Sequence, residues 1–179
     1  MSRYVAFLRA INVGGHVVKM DRLRMLFEQL GLKNVETVIA SGNVLFDSSA
    51  ATPAALENRI ERQLEKELGY AVATFVRTPS EIEAVTTYEP FPEKASDGCT
   101  LSVAFLRSDP GADVADRLHA MKTDTDDLHL HHRELYWLCR GRISDSKVWR
   151  PPLEKVVAGP GTMRNLTTVR KLAAKLRAT

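Results

Sequence analysis

Cysteine is scarce in this chain: only Cys99 and Cys139 occur among 179 residues. No C-x-x-C spacing is present, so neither a disulfide framework nor a structural zinc site is expected, and two reduced thiols point to a cytoplasmic setting. No apolar run approaches the ~18–20 residues that a membrane span needs. The apolar stretch before Arg9 is too short for a signal peptide, and no membrane partner is expected. Aromatic residues make up only 7%, whereas RNA-reading sheets need exposed rings on their central strands. Phe7 and Phe105 read as core. Also missing are the patterns G-x-x-x-x-G-K-[ST], G-x-G-x-x-G and G-x-S-x-G, which removes the P-loop, the dinucleotide turn and the hydrolase nucleophile elbow. Asp124, Asp126 and Asp127 lack the glycine and terminal glutamate of a calcium loop, and read as a solvated turn. His119, His129, His131 and His132 have no carboxylate or thiol at ligand spacing. Neither metal nor cofactor is expected.

What remains is an ordinary globular composition, 44% hydrophobic and 26% charged. The net charge of +3 is unevenly spread. Residues 51–132 carry 8 basic and 15 acidic side chains, whereas residues 133–179 carry 11 and 3. A basic C-terminal quarter suits an anionic partner.

The apolar run at residues 5–8 reads as a buried strand. A glycine-containing loop over residues 11–18 follows. Met20, Leu23, Phe27 and Leu30 then recur at helical spacing, and Gly31 closes the helix. Residues 35–39 and 44–46 are rich in strand formers and flank Ser41-Gly42-Asn43, a hairpin signal. Thr52-Pro53 opens a second helix on Leu56, Ile60, Leu64 and Leu68, closed by Gly69. A strand over residues 72–76 completes the order β-α-β-β-α-β, the ferredoxin-like split unit. Thr78-Pro79-Ser80-Glu81 is a capping box for one more short helix.

The five residues Val5-Ala6-Phe7-Leu8-Arg9 recur as Val103-Ala104-Phe105-Leu106-Arg107, and a similar pattern of elements follows them. Its later part is degenerate: Pro151-Pro152 opens a helix, the last strand is short or absent, and a basic helix ends the chain. The expectation is therefore an α+β fold of two ferredoxin-like units. The first, with its short helix, covers residues 1–88, a linker covers 89–99, and residues 100–179 form the second unit with the C-terminal helix.

In such a sheet strand 1 lies beside strand 3, so the loop over residues 9–19 adjoins the turn at Ser41-Gly42-Asn43. The first helix begins at the same end, where unpaired N–H groups favour an anion. Arg9, Asn12, Gly14, Gly15 and Lys19 join Ser41, Gly42 and Asn43 as candidate ligand-binding residues. An alternative reading gives the glycines a purely conformational role.

Three separated motifs also carry a resemblance. Leu8-Arg9-Ala10-Ile11-Asn12-Val13-Gly14-Gly15, Ser41-Gly42-Asn43-Val44 with Phe46, and Thr162-Met163-Arg164-Asn165 with Thr168 and Lys171-Leu172 resemble a bacterial family catalogued as domain of unknown function 1697. The resemblance implies two ferredoxin-like units and no particular activity. Ala10 stands where that family commonly has glycine, and Leu166 where it commonly has an aromatic residue. Arg164 and Asn165 are added to the candidate set, as helix-capping groups or as a third wall of the loop cluster.

The leading reading is thus a binding module for a small anionic or phosphorylated ligand. The alternatives are an enzyme using the same polar cluster without a recognisable catalytic constellation, RNA or DNA association through Arg170, Lys171, Lys175 and Arg177, and motifs that only hold the fold together.

Overall fold

The computed structural model describes residues 1–39, 42–49, 52–91, 98–148 and 155–178. The chain divides into two compact units, Met1–Ala84 with Lys171–Thr179, and Val85–Arg170. Each contains a four-stranded antiparallel sheet, and five helices are present among the described residues, so the protein is α+β. None of these helices is long and apolar enough to cross a membrane.

The first unit runs β1 (Ser2–Leu8), α1 (Met20–Glu28), β2 (Lys33–Val38), β3 (Asn43–Ser48), α2 (Pro53–Leu68) and β4 (Thr74–Arg77), and α3 (Pro79–Thr87) starts in it and ends in the second. Its sheet order is β2-β3-β1-β4. The helix boundaries follow local chemistry. Thr52 accepts a hydrogen bond from the Ala55 N–H at 3.3 Å, Pro53 supplies the first helical residue, and Gly69 ends α2 in the left-handed region. The capping box is complete: the Glu81 N–H donates to Thr78 Oγ1, and the Thr78 N–H donates to Glu81 Oε2 at 2.8 Å.

One sheet face meets the helices. Tyr4, Ala6, Leu8, Phe46 and Val76 share a core with Leu23, Phe27, Leu56, Ile60 and Leu64. Phe46 stacks on Tyr4 and meets Phe27 edge-on, with ring centroids 5.8 and 5.6 Å apart. Burial does not alternate along β1: Val5 and Phe7, which point to the other face, are as inaccessible as Ala6. A strand covered on both faces reads as a continuous apolar run, which is what residues 5–8 are.

The open edge of β4 is closed by a helix. Glu57 and Glu61, one turn apart on α2, accept the N–H groups of Val76 and Thr74, each at 2.8 Å. Edge donors that are satisfied in this way cannot recruit another strand.

The second unit contains β5 (Cys99–Leu106), α4 (Ala112–Ala120), β6 (Asp126–His131), β7 (Glu134–Arg140) and β8 (Gly161–Asn165), and from it runs α5 (Leu166–Arg177). Its order is β6-β7-β5-β8. The repeated pentapeptide has an equivalent place in both units: its first four residues end the strand that is paired on both sides, and its arginine follows the strand. The final strand, expected to be short or absent, is present. Thr162, Met163 and Arg164 pair with Phe105, Ala104 and Val103. The segment looks polar because it gives the core a single apolar side chain, Met163, while Arg164 is buried. The helix expected from Pro151-Pro152 begins outside the described residues, as does most of the linker, residues 92–97.

Candidate functional site

The loop between β1 and α1 is held at four points. The Leu8 N–H donates to the Gly42 carbonyl at 2.8 Å, and the Arg9 N–H to the Ala73 carbonyl at 2.9 Å. Asn12 Oδ1 accepts from the Val18 N–H at 2.8 Å, which ties the entrance of the loop to the start of α1. The Tyr70 hydroxyl donates to the Ile11 carbonyl at 2.8 Å, and its ring stacks on His16 with centroids 3.9 Å apart.

The two loops expected to be neighbours are in contact. A Cβ on Gly42 would lie 3.0 Å from Ile11 Cγ2 and 3.1 Å from Leu8 Cβ, and φ there is +76°. Close approach and backbone conformation therefore both require glycine. Asn43 is fully buried and donates from Nδ2 to the Val38 carbonyl at 3.0 Å. It acts as a hairpin brace. Ser41 lies outside the described residues.

Gly14 and Gly15 differ from Gly42. Both are exposed, with open space where a Cβ would stand. Lys19 is exposed at the N-cap position of α1, where its side chain makes no capping bond. Residues 9–19 contain Arg9, His16 and Lys19 and no carboxylate, and Asp21 follows in the first turn of α1.

Ala10 sits in this loop at φ +53°. That conformation costs a residue with a Cβ about 1 kcal/mol more than it costs glycine. Ala10→Gly is expected to stabilise the protein by about 1 kcal/mol, or roughly 2–4 °C in Tm for a chain of this length. Calorimetry checks this, and an unchanged or lower Tm would show that the loop does not hold residue 10 in the left-handed region.

Arg164 and Asn165 belong to the second unit. Arg164 Nη1 donates to Thr162 Oγ1 and to the Met163 carbonyl, both at 2.8 Å. Burial lowers its pKa to about 10, a value at which the guanidinium remains charged near neutrality. Asn165 Oδ1 accepts from the Thr167 N–H at 2.8 Å, so Asn165 caps α5, as one of the two expectations had it. The Thr162–Arg164 part of the motif is strand rather than cap. Leu166 is 4% exposed, so the position held by an aromatic residue in the family serves packing here.

Two polar clusters escaped sequence reasoning. On α2 and β4, Glu57 and Arg77 are almost wholly buried, with Arg77 Nη1 4.0 Å from Glu57 Oε1. On β6, Asp126 is 1% exposed instead of lying in a solvated turn. It accepts from Trp137 Nε1 and Ser146 Oγ at 2.8 Å, and from the hydroxyls of Thr125 and Thr123 at 2.9 and 3.0 Å. The signal available in sequence was Trp137 itself, because a buried indole N–H needs an acceptor.

His129 and His131 share a strand face, as their alternation implied. Tyr88 stacks on His131 at 4.0 Å, and its hydroxyl lies 2.7 Å from His129 Nε2. Burial, then the nearby His131 and His119, holds His129 below the usual imidazole range. Among the described residues, no group of three or more His, Cys, Asp or Glu side chains is placed to hold a metal ion.

Comparison with known proteins supplies a family and a fold. A family model described as "Protein of unknown function (DUF1697)" matches residues 1–136. The solved structure of the conserved bacterial protein SP0830 from Streptococcus pneumoniae is similar over 98% of each chain, with 25% identity and a TM-score of 0.73. No curated protein matches the chain.

Proposed function

We propose that the chain, which belongs to the DUF1697 family of proteins of unknown function, is a binding module for a small anionic or phosphorylated ligand. The ligand sits at the loop between β1 and α1. The observation that carries this reading is the tie between Asn12 Oδ1 and the Val18 N–H. It closes a loop segment that carries two exposed glycines and leads through the exposed Lys19 into the start of α1, with no carboxylate between residues 9 and 19. Arg9, Asn12, Gly14, Gly15 and Lys19 form the contact set. Gly42 and Asn43 support it from beneath, because their own atoms are packed or hydrogen-bonded inside the fold. The sheet orders β2-β3-β1-β4 and β6-β7-β5-β8 support reading both units as ferredoxin-like.

Titration of the whole chain with inorganic phosphate tests the proposal, followed by backbone amide resonances of residues 9–22. Movement confined to that segment is expected. Arg9→Ala is expected to weaken the interaction about tenfold, the loss of one charge-assisted hydrogen bond of about 1.4 kcal/mol. Phosphate that moves no resonance in the loop, or that binds equally well to Arg9→Ala, removes this reading.

Nucleic-acid association through the C-terminal helix has less support. Lys175 is paired with Glu36, and Arg177 Nη1 with Glu83 Oε2 at 2.6 Å. Two of the four basic groups on α5 are thus engaged by the protein's own carboxylates. An enzymatic role for the same loop has no specific observation in its favour: its one imidazole, His16, is stacked on Tyr70 and has no nucleophile or carboxylate beside it in the loop sequence.

A further inference from the structure

The second unit has a small cavity against its edge strand β6, with a volume of about 240 Å³. Drug-sized ligands occupy upwards of ~300 Å³, so this one suits a molecule of about a single ring. Its walls differ in character. Pro90, Phe91 and Leu128 supply apolar surface, with Phe91 the aromatic contribution. Lys122, Arg140 and Asp127 supply charge, and His119 and His129 supply imidazoles.

The charged groups are fixed relative to one another. Lys122 Nζ lies 2.7 Å from Asp127 Oδ1, and Arg140 Nη2 lies 2.7 Å from Asp127 Oδ2. Each carboxylate oxygen is therefore used in holding one cation in place, and two positive heads face the cavity with one negative charge between them. The balance is a single excess positive charge. Lys122 contributes most of what is available, since its ammonium has three N–H groups and its side chain is half exposed. His129 adds a polar ring: its Nε2 lies 2.7 Å from the Tyr88 hydroxyl, and burial, then the nearby His131 and His119, disfavours its charged form.

We propose that this cavity binds a small organic monoanion with a flat apolar body, of the aromatic carboxylate class. Its acidic head meets Lys122 beside Arg140, and its ring lies against Phe91, Pro90 and Leu128. Pre-positioning of the two cations by Asp127 lowers the ordering cost of binding, and a partly enclosed site strengthens the ionic contact relative to open water. A cluster that served only to fasten β6 to β7 needs Asp127 and Arg140. It needs neither the lysine nor the aromatic wall.

Benzoate, benzyl alcohol and inorganic phosphate are the probes, titrated into the full chain and read by the ring resonances of His119 and His129. Benzoate is expected to shift both rings saturably, whereas benzyl alcohol at the same concentration is expected to leave them in place. Lys122→Met is expected to weaken benzoate binding at least tenfold, and Phe91→Ala to weaken it several-fold. Arg9→Ala is expected to leave it unchanged, which separates this site from the loop of the first unit. The proposal is overturned if benzoate leaves both rings unmoved, if benzyl alcohol binds equally well, or if neither Lys122→Met nor Phe91→Ala changes the benzoate affinity. Displacement of benzoate from the rings by phosphate at similar concentration overturns the aromatic preference.

Discussion

Glu57→Ala is expected to destabilise the protein by about 4 kcal/mol, because it removes a buried carboxylate from beside a buried guanidinium. Arg77 has no exposed side-chain surface and Glu57 has 3%, so water cannot replace the lost partner. The substitution also removes the acceptor of the Val76 N–H on the edge of β4, a further unsatisfied buried donor. Glu57→Gln separates the two effects. Its amide oxygen still accepts from Val76 while the charge is gone, so about half of the loss is expected. Urea denaturation measures both. A loss below about 1 kcal/mol for Glu57→Ala, the size typical of a surface ion pair, would show that Arg77 is held by its other neighbours. Domains of this kind have only about 5–15 kcal/mol of stability in total, so the expected loss would also show in the yield of soluble protein.

The second large effect is expected at Asp126. Burial acts to raise its pKa, but hydrogen bonds from Trp137, Ser146, Thr125 and Thr123 outweigh it, and the net shift is downward. A carboxyl group with a folded pKa below its unfolded value stabilises the fold fully above the unfolded value, near 4. That contribution is lost as pH falls through the lower folded value. Asp126→Ala is expected to cost about 3 kcal/mol at pH 7, since the indole N–H of Trp137 and three hydroxyls lose their shared acceptor. For this chain length that is roughly 6–12 °C in Tm. Asp126→Asn keeps one acceptor oxygen but cannot be protonated, so its stability is expected to fall less steeply than that of the wild type below pH 4. Trp137 fluorescence during acid titration reports on the site directly. Parallel acid limbs for wild type and Asp126→Asn would show that Asp126 does not carry the pH dependence.

These two clusters also mark the limit of what the sequence discloses. Helix boundaries were legible because caps act within four residues: Thr52 with Ala55 and Thr78 with Glu81 find their partners locally. The contact of the two loops was legible one step further on, since strand order alone brings Gly42 to Leu8. Glu57 was not. It flanks the apolar stripe of α2 at Leu56 and Ile60 and looks like any exposed helix charge, until the edge of β4 is laid beside it. Asp126 was hidden in the same manner, in a run of polar residues that reads as a turn while its partner Trp137 stands on the next strand. Arg164 made β8 look unlike a strand, because a buried cation breaks the apolar pattern by which strands are recognised.

By itself, then, the sequence determined the order of the elements in the first unit, the repeated central strand and the glycine loop at the head of α1. Each of these depends on periodicity or on bonds between near neighbours in the chain. Tertiary structure alone decided which charged residues are buried. It also decided that α2 seals an edge with Glu57 and Glu61, and that Lys122, Arg140 and Phe91 line one cavity. Such placements depend on desolvation, and whether water is removed from a side chain is set by the segments packed against it rather than by its own neighbours in sequence.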